Sequence, residues 1–247
     1  MKKLIQYHLK VTLISVVLFS CATPVKYIQQ PSSLSIDSTF SKNQEAAKII
    51  EPYKTALDSE MNEVLVISAE EFPKEKGKPE TKLGNLVADL SLEIAKQMYG
   101  DSIDFCLLNF GGLRTSLPKG EITRGKIFEL MPFENELVVV TINTDSLTLL
   151  YNYLKNAGGQ PIAGNLFVHF SEPLSEIVED WEHKSKVKVV TSDYLAQGGD
   201  KMNFFLNPIK YEPVGIKLRD AIIHYCKEQN KQGKQLTGKL DGRISFE

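Results

Sequence analysis

Two glycine-rich segments carry the residue types best suited to holding a small ligand. Asn109-Phe110-Gly111-Gly112-Leu113-Arg114 runs on to Met131-Pro132-Phe133-Glu134-Asn135. Thr191-Ser192-Asp193-Tyr194-Leu195-Ala196-Gln197-Gly198-Gly199-Asp200 lies further along the chain. Each closes an apolar run that reads as a buried strand, and each sets close-approach glycine backbone beside a ring and a charge. That combination suits a nucleoside, which offers a flat base, a diol and an anionic tail. Metal-assisted hydrolysis needs something else, a cluster of His, Asp and Asn that holds ions and activates water. The chain has 4 histidines, and none stands in such a motif. His8 lies in the leader, His169 alternates in a strand, His183 sits in a polar loop and His224 lies on a helix. Each reads as structural or solvated. There is no zinc spacing and no nucleophilic triad.

The elements that must position these segments follow from periodicity. Gln44 to Met61 reads as helical, with Pro52 kinking it or starting a second helix. Glu63 to Ala69 alternates as a strand, with Val64, Val66 and Ser68 on one face and Leu65, Ile67 and Ala69 on the other. Thr81 to Met98 repeats apolar residues at helical spacing, and Gly84 in its first turn leaves room for close packing or a ligand. Ile103 to Leu108 and the valine-rich Glu136 to Ile142 read as buried strands. Asp145 to Asn156 is a helix stopped by Gly158-Gly159. Leu166 to Phe170, Ile177 to Glu179 and Val187 to Thr191 read as a meander of short strands. Gly215 to Glu228 is a last amphipathic helix, and Gly242 to Phe246 a last strand. Helical crossovers mixed with hairpins predict an α/β sandwich, a mixed β-sheet flanked by helices.

Hydrophobic residues are 42% and charged residues 24%, the balance of a globular domain with a sizeable core. A net charge of -2 offers no electrostatic case for a nucleic-acid polymer as partner. The lysines at 74, 76 and 78, and at 184, 186 and 188, read as solvated loops or strand edges. Cys106 and Cys226 fall on apolar faces and read as small buried hydrophobes, with a disulfide between them the alternative in an exported protein.

Four segments in order resemble the C-terminal, substrate-binding domain of the 5'-nucleotidase family. Glu80-Thr81-Lys82-Leu83-Gly84-Asn85-Leu86-Val87-Ala88-Asp89 is similar to its Leu-Gly-Asn-Leu segment. Asn109 to Arg114 is similar to its Asn-x-Gly-Gly-Ile-Arg. Gly120 to Thr123 and Met131 to Asn135 are similar to the turn and Pro-Phe-x-Asn element that follow. Asp193 to Asp200 is similar to its Asn-aromatic-Leu-Ala-x-Gly-Gly-Asp.

The resemblance implies that Phe133 and Tyr194, the latter in the family's usual phenylalanine place, sandwich a base. It also implies that Asp200 accepts hydrogen bonds from ribose hydroxyls. Arg114 would face sugar or phosphate, and Asn109 would contact the base or shape its loop. Gly111, Gly112, Gly198 and Gly199 would shape the backbone around the ligand. Where the family carries arginine before Leu-Gly-Asn, this chain has Lys76-Gly77-Lys78-Pro79. Family members take their two metals from histidine-bearing motifs that have no match in this sequence. The implied function is therefore nucleotide or nucleoside recognition beside a separate metallophosphoesterase chain that holds the divalent metals. A non-catalytic nucleoside-binding module and a structural domain with a decayed cleft are the other readings. No cofactor and no catalytic residue is expected in this chain.

The chain opens with Met1-Lys2-Lys3, continues through the apolar Val11 to Phe19 and reaches Ser20-Cys21. A basic start and a short apolar run read as a secretory signal over residues 1–20. Leu18-Phe19-Ser20-Cys21 is similar to a bacterial lipobox, which would make Cys21 the lipidated residue. An ordinary signal peptide with an incidental cysteine, or a short anchor helix, is the alternative. Residues 21–43, rich in serine, glutamine and proline, read as a tether, and residues 44–247 as the folded domain. The expected location is the bacterial cell envelope, as an exported, membrane-anchored lipoprotein.

Overall fold

The computed structural model describes residues 33, 35, 37, 41–100, 103–171 and 184–246. The expected signal, Cys21, most of the tether, His8, His183 and the strand expected at 177–179 lie outside the described residues. The chain divides into two units, Met1–Lys48 and Ile49–Glu247, and the second holds every strand described below.

Helix α1 (Gln44–Met61) runs unbroken through Pro52. The side chain of Asn43 accepts from the backbone amides of Glu45 and Ala46 at its start. Strand β1 (Val64–Ser68) pairs antiparallel with β3 (Gly120–Thr123). A register shift between Val64 and Val66 breaks the expected alternation, so Leu65 and Val66 are both buried.

The main sheet has five strands in the order β5-β2-β7-β4-β8. They are β2 (Phe105–Leu107), β4 (Glu136–Asn143), β5 (Ile162–Gly164), β7 (Lys186–Ser192) and β8 (Lys210–Lys217). β2 and β7 are parallel, and the other neighbours are antiparallel, so the sheet is mixed. β4 shows the two-sided design through its alternation. Leu137 and Val139 face a core shared with α2 (Lys82–Tyr99), α3 (Arg124–Leu130) and α6 (Leu218–Lys231). Val138, Val140 and Ile142 face a second core with α4 (Ser146–Ala157) and Phe204-Phe205. Helices thus cover both faces, as the mixed sequence pattern predicts.

Two expectations need correction. The last helix begins at Leu218, because residues through Lys217 form β8. Pro213 and Gly215 disguise that strand, and both are tolerated because β8 is an edge strand. Nor do the described residues around Val168 pair as a meander. β6 (Val168–His169) pairs parallel with β9 (Ile244–Ser245) in a small sheet of its own.

The Leu-Gly-Asn segment organises the domain behind the site. Thr81 caps α2 by accepting from the Gly84 amide at 2.9 Å. A β-carbon on Gly84 would stand 2.9 Å from the Phe110 ring, so glycine here lets the Asn109–Arg114 loop settle on α2. Asn85 Nδ2 donates to Glu80 at 2.6 Å and to the Lys239 carbonyl at 2.9 Å. Glu80 also accepts from the amides of Asp241 and Gly242. Arg243 donates to Asp89 at 2.6 Å, to Asp241 and to the Ile162 carbonyl. Burial opposes the Arg243 charge, yet its bonds to Asp241 and Asp89 raise its pKa further.

Cys106 and Cys226 are separate buried thiols, as their apolar faces predict. Burial pushes the thiol of Cys226 up to about 12 and raises that of Cys106 as well, so neither is nucleophilic.

Candidate functional site

The two glycine-rich segments meet at one end of the main sheet, where β7 leaves the core and β4 enters it. The short helix α5 (Asp193–Ala196) begins directly after β7, with Ser192 accepting from the Leu195 amide as its cap. That start throws Tyr194 outward while Leu195 and Ala196 stay buried. On the other side, α3 ends at Met131 and the chain passes through Phe133 into β4. Asn135 Nδ2 donates to Asp193 Oδ1 at 2.9 Å and links the two sides.

Between them lies an open cleft of about 440 Å³, room for a nucleoside. Asn109, Gly111, Gly112, Arg114, Phe133, Tyr194 and Asp200 all line it. Phe133 is 40% exposed and Tyr194 47%, so both rings keep surface free for a ligand. Neither Gly198 nor Gly199 lines the cleft: Gly198 lies against Leu206, and Gly199 stands behind the Tyr194 ring. A β-carbon on Gly199 would stand 2.5 Å from that ring, so its lack of a side chain seats the tyrosine.

Asp200 takes left-handed backbone angles, φ 50° and ψ 28°, in the turn after the two glycines. The Asn109 side-chain amide donates to its Oδ2 at 2.5 Å. The Tyr194 hydroxyl donates to its Oδ1 at 2.9 Å and accepts from its backbone amide at 3.2 Å.

Arg114 donates to the Gly111 carbonyl at 3.2 Å, and its guanidinium lies 5.8 Å from the centre of the Phe133 ring. Among the described residues no carboxylate pairs with it. Lys74 reaches its carbonyl oxygen at 3.4 Å. Burial, then repulsion from Arg114 and Lys76, pulls the Lys74 pKa down. Arg114 on the cleft wall and Lys74 in the adjoining pocket thus repel one another, a repulsion that an anion beside them would relieve.

Phe133 is held from behind. Its carbonyl accepts from Arg219 at 3.4 Å, and its neighbour Glu134 pairs with both Lys217 and Arg219. Those bonds, Lys217 first and Arg219 second, hold the Glu134 carboxyl down at about 2. Arg219 is itself buried and stacks 4.2 Å from the centre of the Phe128 ring.

Met131, Asn135, Ser192 and Leu218 also line the cleft, and sequence reasoning did not name them as ligand contacts. Asn135 was within reach, since it closes the Pro-Phe-x-Asn element. Leu218 was not, because it follows the disguised strand β8. Among the described residues no group of three His, Cys, Asp or Glu side chains is placed to hold a metal ion.

The mixed five-strand sheet with helices on both faces resembles the fold of 5'-nucleotidase C-terminal domains. The family model described as "5'-nucleotidase, C-terminal domain" matches residues 63–152 of the chain. The chain is 28% identical over 238 residues to the trifunctional nucleotide phosphoesterase protein YfkN of Bacillus subtilis (strain 168). That alignment covers 86% of this chain and 16% of YfkN. In fold it is similar to a 5'-nucleotidase precursor from Thermus thermophilus, with TM-score 0.65 and 24% identity over 82% of this chain. It is similar also to the Haemophilus influenzae NAD nucleotidase NadN, with TM-score 0.56 and 18% identity over 87% of this chain. The chain spans 43% of each of those two structures.

Proposed function

We propose that this domain recognises a nucleoside or nucleotide, with the base stacked between Phe133 and Tyr194 and the ribose diol on Asp200. Any anionic tail leaves toward Arg114 and Lys74. A separate two-metal phosphoesterase unit acts on the bound 5'-nucleotide and supplies the divalent metals. The observation that carries this reading is the pair of half-exposed rings lining one cleft with Asp200 and Arg114. The match of residues 63–152 to the 5'-nucleotidase C-terminal domain model and the likeness to a nucleotide phosphoesterase support it.

Each ring stacked on a base contributes roughly 1–3 kcal/mol, or about five- to a hundredfold in affinity. Phe133→Ala and Tyr194→Ala are expected to weaken adenosine and AMP binding by that factor each, by calorimetry. Their melting temperatures should stay near wild type, because both rings are half exposed. A core phenylalanine behaves differently, since its deletion costs about 3–5 kcal/mol of stability. Collapse of the melting temperature in both variants, or no nucleoside bound by the wild type at millimolar concentration, would overturn the reading.

The same proposal places the protein in a bacterial cell envelope, anchored through lipid on Cys21. Its support is the basic start, the apolar run and the lipobox-like Leu18-Phe19-Ser20-Cys21. A fatty-acid analogue should label the wild-type chain in cells and not Cys21→Ser; equal labelling of both rejects the anchor.

A further inference from the structure

Stacking on a base needs the ring of Tyr194 and not its hydroxyl. That hydroxyl nonetheless makes two bonds to one residue, the Oδ1 of Asp200 at 2.9 Å and the backbone amide of Asp200 at 3.2 Å. Together they close a loop from residue 194 to residue 200 and hold Asp200 where few non-glycine residues sit, at φ 50°. Lys201 follows at φ 66°, so the turn carries two consecutive left-handed side-chain-bearing residues. Gly199 lets the ring lie close enough for the hydroxyl to reach. On the other oxygen, the Asn109 amide bonds Oδ2 at 2.5 Å.

A carboxylate offers about four lone-pair positions. Two protein donors take one on each oxygen and fix the plane of the group. One position on each oxygen is left, which is what two adjacent hydroxyls require. Without the tyrosine hydroxyl, Oδ1 would lose its fixed donor and the left-handed turn one of its ties.

We propose that the Tyr194 hydroxyl is a specificity-determining group. It orients Asp200 to accept a vicinal diol, so that the cleft selects ribonucleosides over nucleosides lacking the 2'- and 3'-hydroxyls. This rests on the base-stacking reading above and deepens it. Tyr194 acts in two separable ways, as a stacking surface through its ring and as a positioning residue through its oxygen.

The test compares adenosine with 2',3'-dideoxyadenosine on the full chain by calorimetry, for wild type, Tyr194→Phe and Asp200→Asn. Wild type is expected to favour adenosine by about tenfold, the worth of hydrogen bonds to a charged acceptor. Tyr194→Phe keeps the ring and should lose about three- to tenfold in adenosine affinity, as one ordinary hydrogen bond is worth. Its affinity for the dideoxy compound should stay within about twofold, since stacking is unchanged. Asp200→Asn, whose side chain tolerates left-handed backbone, should show the same selective loss even if the phenylalanine variant folds poorly. An unchanged ratio of the two affinities in Tyr194→Phe, or equal affinities in wild type, overturns the proposal while leaving base stacking in place. Failure of wild type to bind either compound overturns the base-stacking reading and this proposal with it.

Discussion

The two walls of the cleft present rings of similar exposure and hold them by opposite means. Phe133 is braced from outside. Its own side chain makes no hydrogen bond, and its place is set by Glu134 pairing with Lys217 and Arg219 from β8 and α6. Tyr194 is braced from within its own segment. Its ring rests on Gly199 and its hydroxyl on Asp200, all within a few residues of α5. One wall depends on ion pairs between distant parts of the chain, and the other on local backbone shape. Disturbing the two should therefore look different, even where both weaken the same ligand.

The larger effect is expected from Gly199→Ala. The new β-carbon would fall 2.5 Å from the Tyr194 ring and 2.6 Å from the Tyr194 carbonyl oxygen, so the ring must leave its seat. Adenosine affinity should fall on the order of tenfold, the value of a lost stack, at every pH. An unchanged affinity by calorimetry would mean that Gly199 does not seat the ring.

Glu134→Gln should act more weakly, and only in one pH range. The folded carboxyl sits at about 2, below its ordinary 4.5. A depressed acid contributes stability that is complete above the ordinary value and fades as pH falls through the folded one. The melting temperature of Glu134→Gln should thus lie below wild type at pH 7, and the gap should close between about pH 4.5 and 2. Glu134 is well exposed, so the gap should be small and shrink with added salt. A gap that persists undiminished at pH 2 would show that the wall is held by something other than charge.

Much of this contrast is legible in the sequence on one side only. Tyr194, the two glycines and Asp200 are consecutive, so a short motif reveals their partnership. It does not reveal which of them line the cleft: Gly199 stands behind the ring and Gly198 lies against Leu206. Phe133 is equally visible, but its brace is not. Lys217 and Arg219 lie more than eighty positions away from Glu134. They also flank the junction of β8 and α6, where Pro213 and Gly215 hide a strand from any pattern of alternation. The bulge in β1 is likewise invisible, because burial of both Leu65 and Val66 is decided by pairing with β3 rather than by period. The helices α2 and α4 read almost to the residue, since each carries its own apolar stripe and a glycine stop.

The knot of bonds behind the site carries a consequence for how the molecule is made. Asn85 finds its acceptor at Lys239, Glu80 its donors at Asp241 and Gly242, and Asp89 its cation at Arg243. These partners are separated by 154 to 162 positions. Contacts so distant in sequence close slowly, because the intervening loop must be ordered first. During synthesis α2 emerges long before any of those partners exists. The helix that underlies the Asn109–Arg114 loop must therefore wait, its polar groups in water, until the ribosome has added residue 243.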